Sequence, residues 1–161
     1  MSRLDSVIRR LTAQRACLGR AVEMIADTPG HVLELGLGNG RTFDHLREIL
    51  PGRAIYCFDR QVAAHPDCVP DDEHLFLGEL EDTLPRALAR LGAGAALVHV
   101  DIGSGDEVAS RRLGAWLAGE LTPFLVPGAV LVSDQPLPNP HWQGCPLPEG
   151  VREQRYFLYR A

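Results

Sequence analysis

The chain has 161 residues, 45% hydrophobic and 23% charged, the size and balance of one folded domain rather than of a disordered segment or coiled coil. Sixteen basic residues against 21 acidic leave a net charge of −5, and every basic residue is arginine. The lack of lysine excludes Schiff-base chemistry and a Walker phosphate loop, and the scattered arginines make no basic stripe for nucleic acid.

Leu4, Ile8, Leu11, Leu18, Val22 and Ile25 recur at helical spacing and predict an N-terminal helix within residues 1–28, apolar along that stripe. Asp27, Thr28, Pro29 and Gly30 stop it. His31 to Leu35 reads as a short strand, Arg41 to Leu50 as a helix, and Ala54 to Asp59 as a second strand. His74 to Leu77 is a third strand, followed by a helix capped at Asp82 or Thr83, with Pro85 in its first turn, ending at Gly92. Ala95 to Asp101 has the continuous apolar character of a strand buried on both faces. Ser104 and Glu107 have capping-box spacing and open a helix to about Pro123. Gly128 to Asp134 is a fifth strand. Residues 135–150 hold five prolines and read as a loop, and Val151 to Arg160 as a final strand.

Strands alternating with helices predict a three-layer, Rossmann-like, doubly wound α/β domain over 1–161, its sheet mostly parallel and its C-terminal part shortened. No stretch approaches the ~18 apolar residues of a membrane span. Arg3, Asp5, Arg9 and Arg10 interrupt any signal-peptide core, and Cys17, Cys57, Cys68 and Cys145 form no metal-binding spacing. A cytoplasmic protein is expected.

In such a sheet ligands bind at the carboxyl ends of the strands. Those ends carry Glu34-Leu-Gly36-Leu-Gly38-Asn39-Gly40, then Asp59, Gly78-Glu79-Leu80, Asp101 and Asp134. The glycines permit a tight turn and close approach of a ligand. Arg41 occupies the sixth position of the dinucleotide fingerprint, which argues against a nicotinamide-dependent oxidoreductase. Asp59 lies 19 residues beyond Gly40, where a carboxylate can accept both hydroxyls of a ribose. With Glu34 beside it, the loop suits a cationic nucleoside better than a pyrophosphate.

The run Glu34 to Gly40 resembles the first motif, (D/E)xGxGxG, of the class I S-adenosylmethionine-dependent methyltransferases. Asp59 resembles that family's ribose-binding acid, and Gly78-Glu79-Leu80 its adenine-contacting segment. Asp101 resembles the acid closing the fourth strand, and Pro127-Gly128 the start of the fifth. The size and the run from Gly38 to Leu46 also look like short, free-standing bacterial methyltransferases. The resemblance implies S-adenosyl-L-methionine as cofactor, S-adenosyl-L-homocysteine as product and methyl transfer by in-line displacement to a small-molecule acceptor. It implies cofactor contacts from Glu34, Gly36, Gly38, Asn39, Gly40, Arg41, Thr42, Asp59, Arg60, Glu79, Leu80 and Asp101. Asp101 and Asp134 are the expected catalytic residues, with His141 a further candidate base. His99, inside a strand, reads as a core histidine. Asn139-Pro-His-Trp142 resembles the (D/N)PP(Y/F/W) motif of amino-methylating nucleic-acid enzymes but follows the fifth strand rather than the fourth, and no nucleic-acid or membrane partner is expected.

Asp101 with Asp134-Gln135 also resembles the divalent-metal site of catechol-type O-methyltransferases. Gln135 stands where that site has Asn, and its lysine base cannot exist here. The preferred reading has Asp101 serve the cofactor's amino group while Asp134 caps the following loop. The alternative to an enzyme is a non-catalytic protein that keeps a nucleoside pocket behind its shortened tail. The N-terminal stripe and an open sheet edge lead to an expected homodimer.

Overall fold

The computed structural model describes residues 2–161. Helix α1 (Arg3–Met24) starts on a capping box: the Ser2 hydroxyl accepts from the Asp5 amide while the Asp5 carboxylate accepts from the Ser2 amide. Its buried face is Ala13, Gln14, Cys17, Leu18 and Ala21, continued by Ile25. The expected stripe is therefore only half right, since Leu4 and Ile8 are 67% and 53% exposed. The small side chains of Ala13, Cys17 and Ala21 let the helix lie close on the sheet, whereas its first turns extend beyond it.

The strands are β1 (His31–Leu35), β2 (Ile55–Asp59), β3 (Leu75–Leu77), β4 (Ala95–Val100), β5 (Leu125–Ser133), β6 (Gln143–Gly144) and β7 (Phe157–Arg160). They form one seven-stranded sheet in the order β3-β2-β1-β4-β5-β7-β6. The first five are parallel, and β7 runs antiparallel to both β5 and β6. Helices α2 (Arg41–Ile49), α3 (Leu80–Leu91) and α4 (Glu107–Glu120) complete the crossovers. One core joins α1 and α2 to the sheet, around Leu18, Leu46, Val32 and Val132. A second joins α3 and α4 to the opposite face, around Leu84, Leu117, Leu33 and Val98. This is the expected three-layer doubly wound fold.

Several boundaries move for local reasons. Helix α3 begins at Leu80, not after Asp82 or Thr83, because the Glu79 carbonyl accepts from the Asp82 and Thr83 amides and the Thr83 hydroxyl. Pro85 consequently sits in its second turn. Helix α4 is capped by Asp106, whose carboxylate accepts from Ala109 N at 2.9 Å, while Ser104 turns back to Ser110. It ends at Glu120, before a single 3-10 turn over Thr122–Phe124.

The tail departs most from expectation. Only Phe157–Arg160 of the expected final strand is extended, since residues 148–155 fold into turns. The proline-rich stretch is pinned rather than loose: Leu137 and Trp142 are buried, Asn139 Nδ2 donates to Ala118 O, and Gln143–Gly144 pairs with β7. Asn139 thus serves packing, not chemistry. Among the described residues no helix is long and apolar enough to cross a membrane.

The corrected face of α1 makes a clear prediction. Leu18→Ala should lower the unfolding free energy by about 2–5 kcal/mol, because its side chain is fully enclosed. Leu4→Ala should stay within about 0.5 kcal/mol of wild type. Urea unfolding of the two variants checks both, and equal effects would contradict the packing described.

Candidate active site

The chain builds β1, β2 and β3 outward in one direction, then returns to lay β4 against the other side of β1. That reversal opens a crevice above the carboxyl ends of β1 and β4. A cavity of about 590 Å³ occupies it, within the range of small-molecule sites.

The glycine loop forms one wall, and its three glycines do different work. Gly36, with φ +95°, lies so close to the Asp101 carbonyl that no Cβ would fit. Gly38 has open space where a Cβ would stand, and its amide donates to Asp59 Oδ2 at 2.8 Å. Gly40, with φ +80°, starts α2 and is packed against Cys68 and Ala64. It does not line the cavity, so the expected cofactor contact there is corrected to a structural role.

Asp59, at the end of β2, also accepts from Arg60 N at 2.7 Å. Gln61 N donates to the same oxygen, Oδ1, at 3.4 Å, so three of a carboxylate's about four acceptor directions are taken, leaving one for a ligand. Asn39, Arg41, Thr42, Arg60, Glu79 and Leu80 line the cavity. Phe58 closes its floor, stacked on Phe76 at 4.9 Å between ring centroids.

Asp101 stands across the crevice, with a side chain 26% exposed. Its Oδ2 accepts from Gln14 Nε2 at 3.0 Å, and Arg10 lies 3.8 Å away. Arg10, Leu11 and Gln14 make α1 a wall of the cavity, a role the sequence reading missed. A glutamine on an otherwise small and apolar buried face was the available signal.

Two further expectations are corrected. Glu34 does not reach the cavity. It is fully buried beneath the loop, with Oε2 2.7 Å from Nδ1 of His99, its register neighbour on β4. Side chains alternate along a strand, and this one points into the layer under α1. Asp134 is likewise not a cavity residue: its carboxylate accepts from Ile102 N at 3.2 Å and Gly103 N at 2.8 Å. It holds the loop after β4, not the loop that follows its own strand. Burial and the Asp101 charge push its pKa up, and those amides oppose the shift. His141 is exposed on the tail, away from the cavity wall. Among the described residues no group of three or more His, Cys, Asp or Glu is arranged to hold a metal.

Burial disfavours a charged His99, but the carboxylates of Glu34, Asp101 and Asp134 outweigh it and raise its pKa. The folded protein therefore keeps this proton to higher pH than the unfolded chain does. The resulting stabilisation is complete below about pH 6.5 and is lost as pH rises through the folded-state value. An NMR titration should place the His99 midpoint above about 6.5, the unperturbed histidine value. A midpoint below it would mean that burial dominates.

A family model described as S-adenosyl-L-methionine methyltransferase matches residues 1–161. The crystal structure of an S-adenosyl-L-methionine methyl transferase from Silicibacter pomeroyi DSS-3 is 43% identical, covers 99% of this chain and 98% of that one, and superposes with a TM-score of 0.93. An RNA methyltransferase from Salinibacter ruber, in complex with S-adenosyl-L-homocysteine, is 19% identical over 89% of this chain and 87% of its own, with a TM-score of 0.53. TrmN from Thermus thermophilus is 14% identical over 94% of this chain and 48% of its own, with a TM-score of 0.60. These last two share the fold. No curated protein matches the chain. The switch-point cavity, the glycine loop and the match over the whole length agree: the chain belongs to the S-adenosyl-L-methionine methyltransferase family.

Proposed function

We propose that this enzyme methylates a small-molecule acceptor at the Asp101 end of the cavity. S-adenosyl-L-methionine, when bound, supplies a methyl group activated on a sulfonium sulfur. The residues present fit that donor. Gly38 lines the cavity with open space where a Cβ would stand, and Asp59 keeps an acceptor direction for a ribose hydroxyl. Glu79 and Leu80 would border the base, Asn39, Arg41, Thr42 and Arg60 would close the loop side, and Gly36 would pass the donor backbone-close. Asp101 would take the amino group.

The chain's own task is then mostly alignment, since an activated methyl donor needs proximity and direction above all. Asp101 Oδ2 is held by Gln14 and Arg10, and Oδ1, which would meet the amino group, has a second acceptor direction from which to take a proton from the acceptor where one is lost. Asp134 supports this by fixing the 102–103 loop, and is a positioning residue.

One observation carries the choice of acceptor. The cavity wall sets four carboxylates, Asp59, Glu79, Glu81 and Asp101, against three guanidinium groups, Arg10, Arg41 and Arg60, in a chain of net charge −5, a balance without the excess of basic surface that a polyphosphate backbone needs. We also read the protein as a homodimer, because Leu4, Val7 and Ile8 stand exposed together on α1. Light scattering should give twice the 17.6 kDa formula mass, and a monomer would contradict that part.

The acceptor class is tested with a methyl-labelled donor offered either total RNA or the low-molecular-weight fraction of a cell extract. Label should appear in the low-molecular-weight fraction. Label in RNA would overturn the small-molecule reading.

A further inference from the structure

Beside the donor cavity lies a second one, of about 230 Å³, in the groove between α1 and α2. The two share Leu11, Gln14, Arg41 and Thr42, so the groove branches from the donor cavity on its α1 side. Its other walls are Arg15, Leu18 and His45.

The charge of this groove runs against the rest of the protein. It presents two guanidinium groups, an imidazole and a hydroxyl, and no acidic side chain lines it. Neighbouring arginines have partners: Arg47 pairs with Asp44, Arg20 with Glu23, and Arg53 binds the carbonyls of Ile25, Thr28 and Gly30. Among the described residues Arg15, Arg41 and His45 enter no ion pair, and their side chains make no hydrogen bond. The amino end of α2 adds partial positive charge, since Gly40, the residue that precedes the helix, provides no side-chain cap. Two guanidinium groups without an ionic partner thus line one groove, and a guanidinium matches carboxylate and phosphate geometry.

We propose that this groove receives an anionic group of the methyl acceptor, a carboxylate or a phosphate, with the adjoining apolar part against Leu11 and Leu18. The inference rests on the reading of the larger cavity as the donor site with a small-molecule acceptor. The groups assigned to the donor lie between Asp59 and Asp101, and the groove branches away from that line. An acceptor anchored by one anion there enters the shared space bordered by Gln14 and Thr42, next to Asp101. Arg15 and His45 belong to the groove alone and are its specificity-determining residues.

The test is an NMR titration of protein saturated with S-adenosyl-L-homocysteine, using benzoate and, separately, inorganic phosphate. Amide shifts should concentrate at residues 11–18 and 41–45. The double variant Arg15→Gln, His45→Gln should weaken the bound anion about fivefold or more, the loss expected for removing a guanidinium and an imidazole donor near the surface. Its affinity for S-adenosyl-L-homocysteine, read by calorimetry, should match wild type and shows that the variant is folded. Binding of benzoate alone identifies a carboxylate acceptor, binding of phosphate alone a phosphorylated one, and binding of both the shared chemistry. Absence of localised shifts with either anion, or equal affinities in the double variant, would overturn the proposal. So would anion binding that S-adenosyl-L-homocysteine abolishes, because the groove would then serve the donor's own carboxylate. If S-adenosyl-L-homocysteine fails to bind wild type, the donor reading itself is what fails.

Discussion

Everything at this site depends on the contact between Gly36 and the Asp101 carbonyl, where the ends of β1 and β4 close on each other. The Asp101 amide donates to Leu35 O at 2.9 Å, extending the β1–β4 ladder to the lip of the crevice. Any side chain at position 36 would part the two strand ends. With them closed, the glycine loop and Asp101 face one cavity, and α1 can reach it through Gln14. The strand-end carboxylates then share a second task, that of shaping backbone. Asp59 grips Gly38 and Arg60, and Asp134 grips Ile102 and Gly103. A carboxylate that accepts from backbone amides fixes a loop without needing a helix or strand there. The cavity is therefore held in shape before any ligand arrives.

Beneath this rim lies the buried Glu34–His99 pair, in a row with Cys57 and Val132 across four neighbouring strands. Burying ions is unfavourable, yet removing one partner of such a pair typically costs about 3–5 kcal/mol, because the other is left uncompensated. Tyr156 stacks on His99 with ring planes 4° apart. The free atoms of all three groups, Glu34 Oε1, His99 Nε2 and the Tyr156 hydroxyl, lack partners within the protein. The tail thus contributes to the site from below: its turns deliver Tyr156 to the layer under Asp101, although no tail residue lines the cavity.

Much of the architecture was legible because it is written locally. Alternating apolar runs and breakers marked the five parallel strands, and the spacing of Gly36, Gly38, Gly40 and Asp59 marked the loop that carries the ligand site. What was not legible depends on pairing and fit. The burial of Glu34 follows from its standing opposite His99, and which strand lies next to β1 is a long-range fact. The face of α1 was misjudged because hydrophobicity favours Leu4 and Ile8, while close packing on a sheet favours Ala13, Cys17 and Ala21. Asp134 looked catalytic from its place after a strand, but its oxygens meet amides 31 and 32 residues earlier. Gln14 and Arg10 were missed for the same reason: their partner, Asp101, is 87 residues from Gln14 along the chain.

The central claim is that the donor binds across this switch point with Asp59 holding one end. Calorimetric titration of S-adenosyl-L-homocysteine into wild type and Asp59→Ala tests it most directly. The account predicts binding to wild type and a loss of about 1.5–3 kcal/mol in the variant, the value of hydrogen bonds to a charged group. Equal affinity in the two proteins would remove Asp59 from the site and contradict the account.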